Sequence, residues 1–85
     1  METNVYHIGV DYHKRYSHLV VQNNKGEILK SGQVANDFSS VGRFLSGFAN
    51  GERRAVVEAT RNWTVMYDWL EDLCDEVYLA NPSVL

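Results

Sequence analysis

Three strand-like segments follow one another at the start of the chain, and the links between them are too short for a helical crossover. They are VYHIGVD (residues 5–11), SHLVVQ (17–22) and EILKSGQV (27–34), rich in β-branched and aromatic residues. The link NNKG (23–26) suits a tight turn, because asparagine and glycine tolerate a left-handed backbone. The chain is therefore predicted to begin with an antiparallel meander of three strands.

The spacing of apolar residues then changes from that of a strand to that of a helix. Apolar side chains recur at helical spacing from Phe38 to Phe48, which predicts a helix of about three turns. Asn36 or Asp37 is placed to cap its N-terminus, and the Asn-Gly pair at 50–51 ends it.

Two further strands follow, with a second helix between them. RRAVVEAT (53–60) predicts a fourth strand, and VYLANP (77–82) predicts a last short one that ends at the Asn-Pro pair. Between them a helix is predicted from Asn62, with one apolar face. Its apolar residues are Trp63, Met66, Tyr67, Leu70, Leu73, Cys74 and Val77.

The predicted order is β-β-β-α-β-α-β, which places residues 1–85 in the α/β class as one small domain. Three antiparallel strands followed by parallel crossovers make a mixed sheet, with helices covering its faces. This is the ribonuclease-H-like topology, whose core order actin and sugar-kinase ATPases share. The order of elements alone leaves the function open.

Composition excludes several function classes. Apolar runs are far shorter than the roughly 20 residues that span a bilayer, and METN lacks a signal-peptide core. We therefore expect a cytoplasmic protein without a membrane partner. The single cysteine, Cys74, cannot form an internal disulfide, and its apolar setting predicts a small buried residue.

The net charge of -3 shows no excess of Lys and Arg. Binding of nucleic acid would therefore need a metal ion that bridges acidic residues to phosphate, or positive charge from another source.

Two acids stand near the ends of predicted strands, Asp11 in the first and Glu58 in the fourth. A right-handed crossover makes these strands parallel and brings both carboxylates to one edge of the sheet, where ligands of α/β sheets bind. Facing carboxylates repel unless a divalent cation lies between them, and Mg²⁺ suits such a site. Alternatively, Asp11 caps a turn and Glu58 caps the start of the following helix.

The stretches HIGVDYHKRYSHLVVQNNKGEIL, AVVEATRNWTVMYDWLEDL and VYLANPSVL together resemble the N-terminal domain of IS110-family transposases. That ribonuclease-H-like domain is similar to the Holliday-junction resolvase RuvC. The family carries a DEDD tetrad that binds Mg²⁺ (or Mn²⁺) for DNA cleavage and strand exchange. The resemblance implies that Asp11 and Glu58 are its first and second acids, with catalytic and metal-binding roles.

In the family, the other two aspartates and a second domain with a recombination serine lie beyond the Asn-Pro segment. The resemblance therefore implies an N-terminal segment without strand-cleaving activity of its own. It also implies DNA as a partner, a guide RNA acting with the full-length parent, and a homo-oligomer. One departure is visible: family members often have glycine after Glu-Ala-Thr, where this chain has Arg61-Asn62.

Other polar and aromatic residues are open to two interpretations. The basic run His13-Lys14-Arg15 either contacts phosphate beside Asp11 or forms a solvated turn. The three histidines lack the short helical spacing of zinc motifs. Both tryptophans fit core packing better than base stacking.

Two other functions compete with the transposase interpretation. A phosphotransferase of the actin or sugar-kinase type needs a glycine- and hydroxyl-rich loop after its first acid, and YHKRY (12–16) is bulky. A non-catalytic module would instead pair an exposed sheet edge or face with another copy of the chain.

Overall fold

The computed structural model describes residues 4–58 and 63–80, which form five strands and two helices. The predicted order of elements is confirmed. The strands are β1 (Val5–Tyr12), β2 (Tyr16–Gln22), β3 (Ile28–Ala35), β4 (Glu52–Glu58) and β5 (Glu76–Ala80). The helices are α1 (Phe38–Leu45), continued by a 3-10 turn at Ser46–Phe48, and α2 (Trp63–Leu73).

The strands form one mixed sheet in the order β3-β2-β1-β4-β5. β1, β2 and β3 pair antiparallel, whereas β4 pairs parallel with both β1 and β5. The antiparallel meander and the parallel crossovers are thus confirmed, as is the turn at 23–26, where Gly26 has a left-handed φ of 81°. β1 is the central strand and has β2 and β4 as its neighbours.

Both helices pack on the same face of the sheet, so the prediction that helices cover its two faces is wrong for the described residues. Each crossover steps in the same direction along the sheet, and two right-handed crossovers in one direction pass on one side. The core lies between that face and the helices. It consists of Ile8, Val10, Leu19, Val21, Val34, Val41, Leu45, Ala55, Val57, Met66 and Leu70.

The first helix is shorter than its apolar spacing predicts. Asp37 is its N-cap and accepts a hydrogen bond of 2.7 Å from the Ser40 amide. Hydrogen bonds from Ser40 hold the pKa of the Asp37 carboxyl below its usual value. Regular α-helix ends at Leu45, and the 3-10 turn brings Phe48 edge-on to Tyr6, with ring centroids 5.0 Å apart. This tighter turn lets the chain reach β4 within a few residues.

The second helix ends at Leu73, so Val77 lies in β5 and not on the helix face predicted for it. Cys74 follows the helix and is half-buried, and burial raises the pKa of its thiol to about 11. Such a thiol carries almost no thiolate at neutral pH. The predicted roles of Asn62 and of the Asn-Pro pair at 81–82 lie outside the described residues. No helix in the described part of the chain is long and apolar enough to cross a membrane.

Candidate metal site at the carboxyl ends of β1 and β4

Asp11 and Glu58 lie at the same edge of the sheet. β1 and β4 run parallel in a register that pairs Val10 with Val57, and the two acids are the next residues of the two strands. Successive side chains of a strand point to opposite faces. Because both valines are buried under the helices, both carboxylates lie on the uncovered face, where they are exposed.

The two acids line one open groove of about 310 Å³ on that face. Its apolar floor crosses β2, β1 and β4 at Val20, Gly9 and Val56. A side chain at position 9 would meet no atom within 4 Å, so glycine leaves the centre of the floor empty. The carboxylates therefore border a space that a ligand can enter directly from solvent.

Two histidines flank Asp11: His13, which belongs to the predicted basic run, and His18, which the sequence did not assign to this site. His13 Nε2 lies 3.1 Å from Asp11 Oδ2, and its ring stacks on Tyr16 with centroids 5.0 Å apart. His18 pairs with Asp11 across the antiparallel strands and lines the same groove. The register that pairs Asp11 with His18 is set in the turn itself, where the His13 amide donates a hydrogen bond of 3.0 Å to the Tyr16 carbonyl oxygen.

The basic run is held at this edge by a side chain from the start of α1. Asn36 Nδ2 donates a hydrogen bond of 2.6 Å to the His13 carbonyl oxygen. Its Oδ1 accepts one of 2.7 Å from the hydroxyl of Ser17, which is fully buried. The turn is thereby fixed, while Lys14 and Arg15 stay exposed beside the acids. The structure thus places all five sequence-predicted site residues at one edge of the sheet.

The donor set suits a hard divalent cation. Asp11 and Glu58 offer carboxylate oxygens, and Mg²⁺ commonly uses one or two carboxylates together with waters and phosphate oxygens. No trio of His, Cys, Asp or Glu within 4–58 and 63–80 is arranged as a metal cage. A cation here would therefore bind through few side chains and keep coordination positions for other oxygens.

The chemistry open to this edge is the recognition of an anion through a bound cation. Two acids alone would repel phosphate, whereas a divalent ion between them attracts it. The exposed Lys14 and Arg15 add positive charge beside the acids. No protein-family model matches this chain, and no curated protein matches it either.

Proposed function

We propose that the chain is the N-terminal catalytic-domain segment of a DNA transposase or recombinase with a ribonuclease-H-like fold. Its reaction is Mg²⁺-dependent phosphodiester cleavage and strand transfer. One observation carries the proposal: parallel β1 and β4 bring Asp11 and Glu58 to one groove on the uncovered face. The strand order and the sequence resemblance to IS110-family transposases support it.

Each residue of the edge has a role in this proposal. Asp11 and Glu58 hold Mg²⁺ (or Mn²⁺), which when bound activates a nucleophile and stabilises the leaving oxygen. His13 orients the Asp11 carboxylate through their contact of 3.1 Å. Lys14 and Arg15 contact DNA phosphates beside the metal.

The same resemblance implies two further aspartates in the catalytic set, in addition to Asp11 and Glu58. Cleavage is accordingly proposed for the complete set of four acids and not for Asp11 and Glu58 alone. A guide RNA and assembly into a homo-oligomer belong to the activity proposed for the full-length parent.

A second candidate function, pairing with another copy of the chain, is favoured by apolar side chains on the uncovered face. Val56 and Tyr78 are 44% and 51% exposed there and occupy paired positions of β4 and β5. Exposed apolar neighbours of this kind often mark an interface. A strictly monomeric chain in sedimentation equilibrium at high concentration would exclude this candidate.

Calorimetric titration with Mn²⁺ tests the proposed metal site. Wild type is expected to bind Mn²⁺. Asp11→Asn and Glu58→Gln should each weaken binding by more than the roughly 10-fold that is lost when only a hydrogen-bonding partner of a metal ligand is removed. Each change removes a ligand charge and spares the core. Asp72→Asn, an exposed acid on α2, is the matched control and should bind as wild type. Equal losses in all three variants would mean that the acids attract cations only through general charge.

A further inference from the structure

The net charge of -3 conceals an uneven distribution of charge along the chain. Residues 4–50 carry more cations than acids, and residues 51–85 carry seven acids against three arginines. The cations of the first part are Lys14, Arg15, Lys25, Lys30 and Arg43, and its acids are Asp11, Glu27 and Asp37.

The sheet order turns this division of the sequence into a division of the surface. β3 forms one edge of the sheet with α1 packed beside it, whereas β5 forms the opposite edge. α2, which carries three of the acids, packs over β4 and β5. One edge of the protein is therefore basic and the other acidic.

The basic edge contains a groove of about 320 Å³ between β3 and α1. Its polar lining comes from Lys30 and Gln33 of β3 and from Ser40 and Arg43 of α1. Lys30 Nζ is fixed there, 3.0 Å from the Phe44 carbonyl oxygen and 4.3 Å from the centre of the Phe44 ring. Amide, hydroxyl and cationic side chains are the groups that proteins use to contact phosphate and sugar.

The charges of this groove are available to a ligand. Arg43 is exposed, and in the described ranges neither Arg43 nor Lys30 forms an ion pair with a carboxylate. The ion pairs of those ranges involve His13 and Arg54. An anion entering the groove would thus meet two cations that are not held in an ion pair, with Asp37 as the acid that interacts electrostatically with Arg43 from the start of α1.

The groove also leads to the proposed metal site at the carboxyl ends of β1 and β4. From Lys30 to Ala35, β3 covers about 17 Å at about 3.4 Å per residue. Ala35 pairs with Tyr16 at the far end, and Asn36 then bonds to the turn that carries Lys14 and Arg15. Cations therefore stand at the two ends of this path, and between them the polar lining of the groove comes from Gln33 and Ser40.

We infer that a single strand of nucleic acid lies along the β3–α1 groove, with phosphates on Lys30 and Arg43, and reaches the acids past Lys14 and Arg15. The inference rests on the proposed function for the identity of the polyanion. It adds a binding path that does not depend on metal. Unpaired cations at intervals along an extended groove suit a flexible phosphodiester chain.

The test is the affinity of the 85-residue chain for a fluorescein-labelled single-stranded DNA, measured by anisotropy in EDTA over a range of salt. Arg43→Gln should weaken binding about fivefold at about 0.1 M salt and lower the slope of log K against log salt by about 0.7, because one phosphate contact is lost. Lys25→Gln removes the same charge from the β2–β3 turn, outside the groove, and should leave both quantities unchanged.

Equal effects of Arg43→Gln and Lys25→Gln would overturn the inference. DNA affinity would then depend on the net charge of the protein and not on the groove. It would also be overturned if Arg43→Gln left DNA affinity unchanged but reduced self-association in sedimentation, because the edge would then bind the acidic side of another copy. Because EDTA removes divalent cations, failure of the metal site leaves this result unaffected. The two proposals therefore fail separately.

Discussion

Replacing Leu19 by alanine is expected to remove a large part of the protein's free energy of unfolding. Leu19 is fully buried in β2, where it pairs with Val10 of the central strand and faces the helices. Removing a buried leucine side chain costs about 2–5 kcal/mol, because the cavity left behind closes only in part. A domain of 85 residues has about 4–13 kcal/mol of stability in total. The free energy of unfolding from urea denaturation, followed by tryptophan fluorescence, measures the loss.

The matched control is Leu29→Ala, which deletes the same atoms from the edge strand. Leu29 is 46% exposed, so the leucine buries less apolar surface on folding than Leu19 does. Its truncation therefore loses less burial and leaves no closed cavity. Its cost should be about 1 kcal/mol or less. Similar losses for the two variants would contradict a core placed between the sheet and its helices.

Gly51→Ala is expected to be the second most damaging change. A Cβ at this position would lie 2.5 Å from the Asn4 carbonyl oxygen and 2.9 Å from a ring carbon of Tyr6. The same carbonyl accepts a hydrogen bond of 2.7 Å from the Glu52 amide, which joins the beginnings of β1 and β4. Relieving the clash moves this backbone, so the variant should lose about 1–3 kcal/mol in urea denaturation.

Gly47→Ala provides the comparison, because an added Cβ there meets nothing within 4 Å. The alanine restricts the unfolded chain and should leave stability unchanged or raise it by up to about 1 kcal/mol. If both alanine variants are as stable as wild type, the close approach of residue 51 to the start of β1 is not present in solution.

Local patterns were enough to predict most of the fold. Link lengths distinguish the antiparallel pairs from the crossovers, and the change of apolar period places α1 and α2. The register of distant elements is not contained in such patterns. Val77 continues the helical spacing of α2, yet it pairs with Ala55 in the sheet. Arg54 lies in the predicted fourth strand, but its ion pair with Glu76 depends on the register of β4 with β5, which the sequence pattern does not contain.

In the candidate site too, some features could be predicted from the sequence and others depend on contacts between distant residues. Right-handed crossovers and strand alternation are general rules, and they suffice to place Asp11 beside Glu58. The approach of His13 to Asp11 depends on how Asn36 holds a turn more than twenty residues away in sequence. The basic groove forms only when β3 and α1 pack together. The net charge of -3 does not reveal it, because that sum includes the acids of β4, α2 and β5.

The most direct test of the metal site is the position of bound Mn²⁺, read from paramagnetic broadening of backbone amide signals in NMR. At a low ratio of Mn²⁺ to protein, we expect the amides of Gly9, Asp11 and Glu58 to broaden first, because all three line one groove. Addition of Mg²⁺ should restore these signals. Broadening that begins instead at Asp68 and Asp72 of α2 would show that Mn²⁺ collects on the acidic helix, and it would contradict a metal site between β1 and β4.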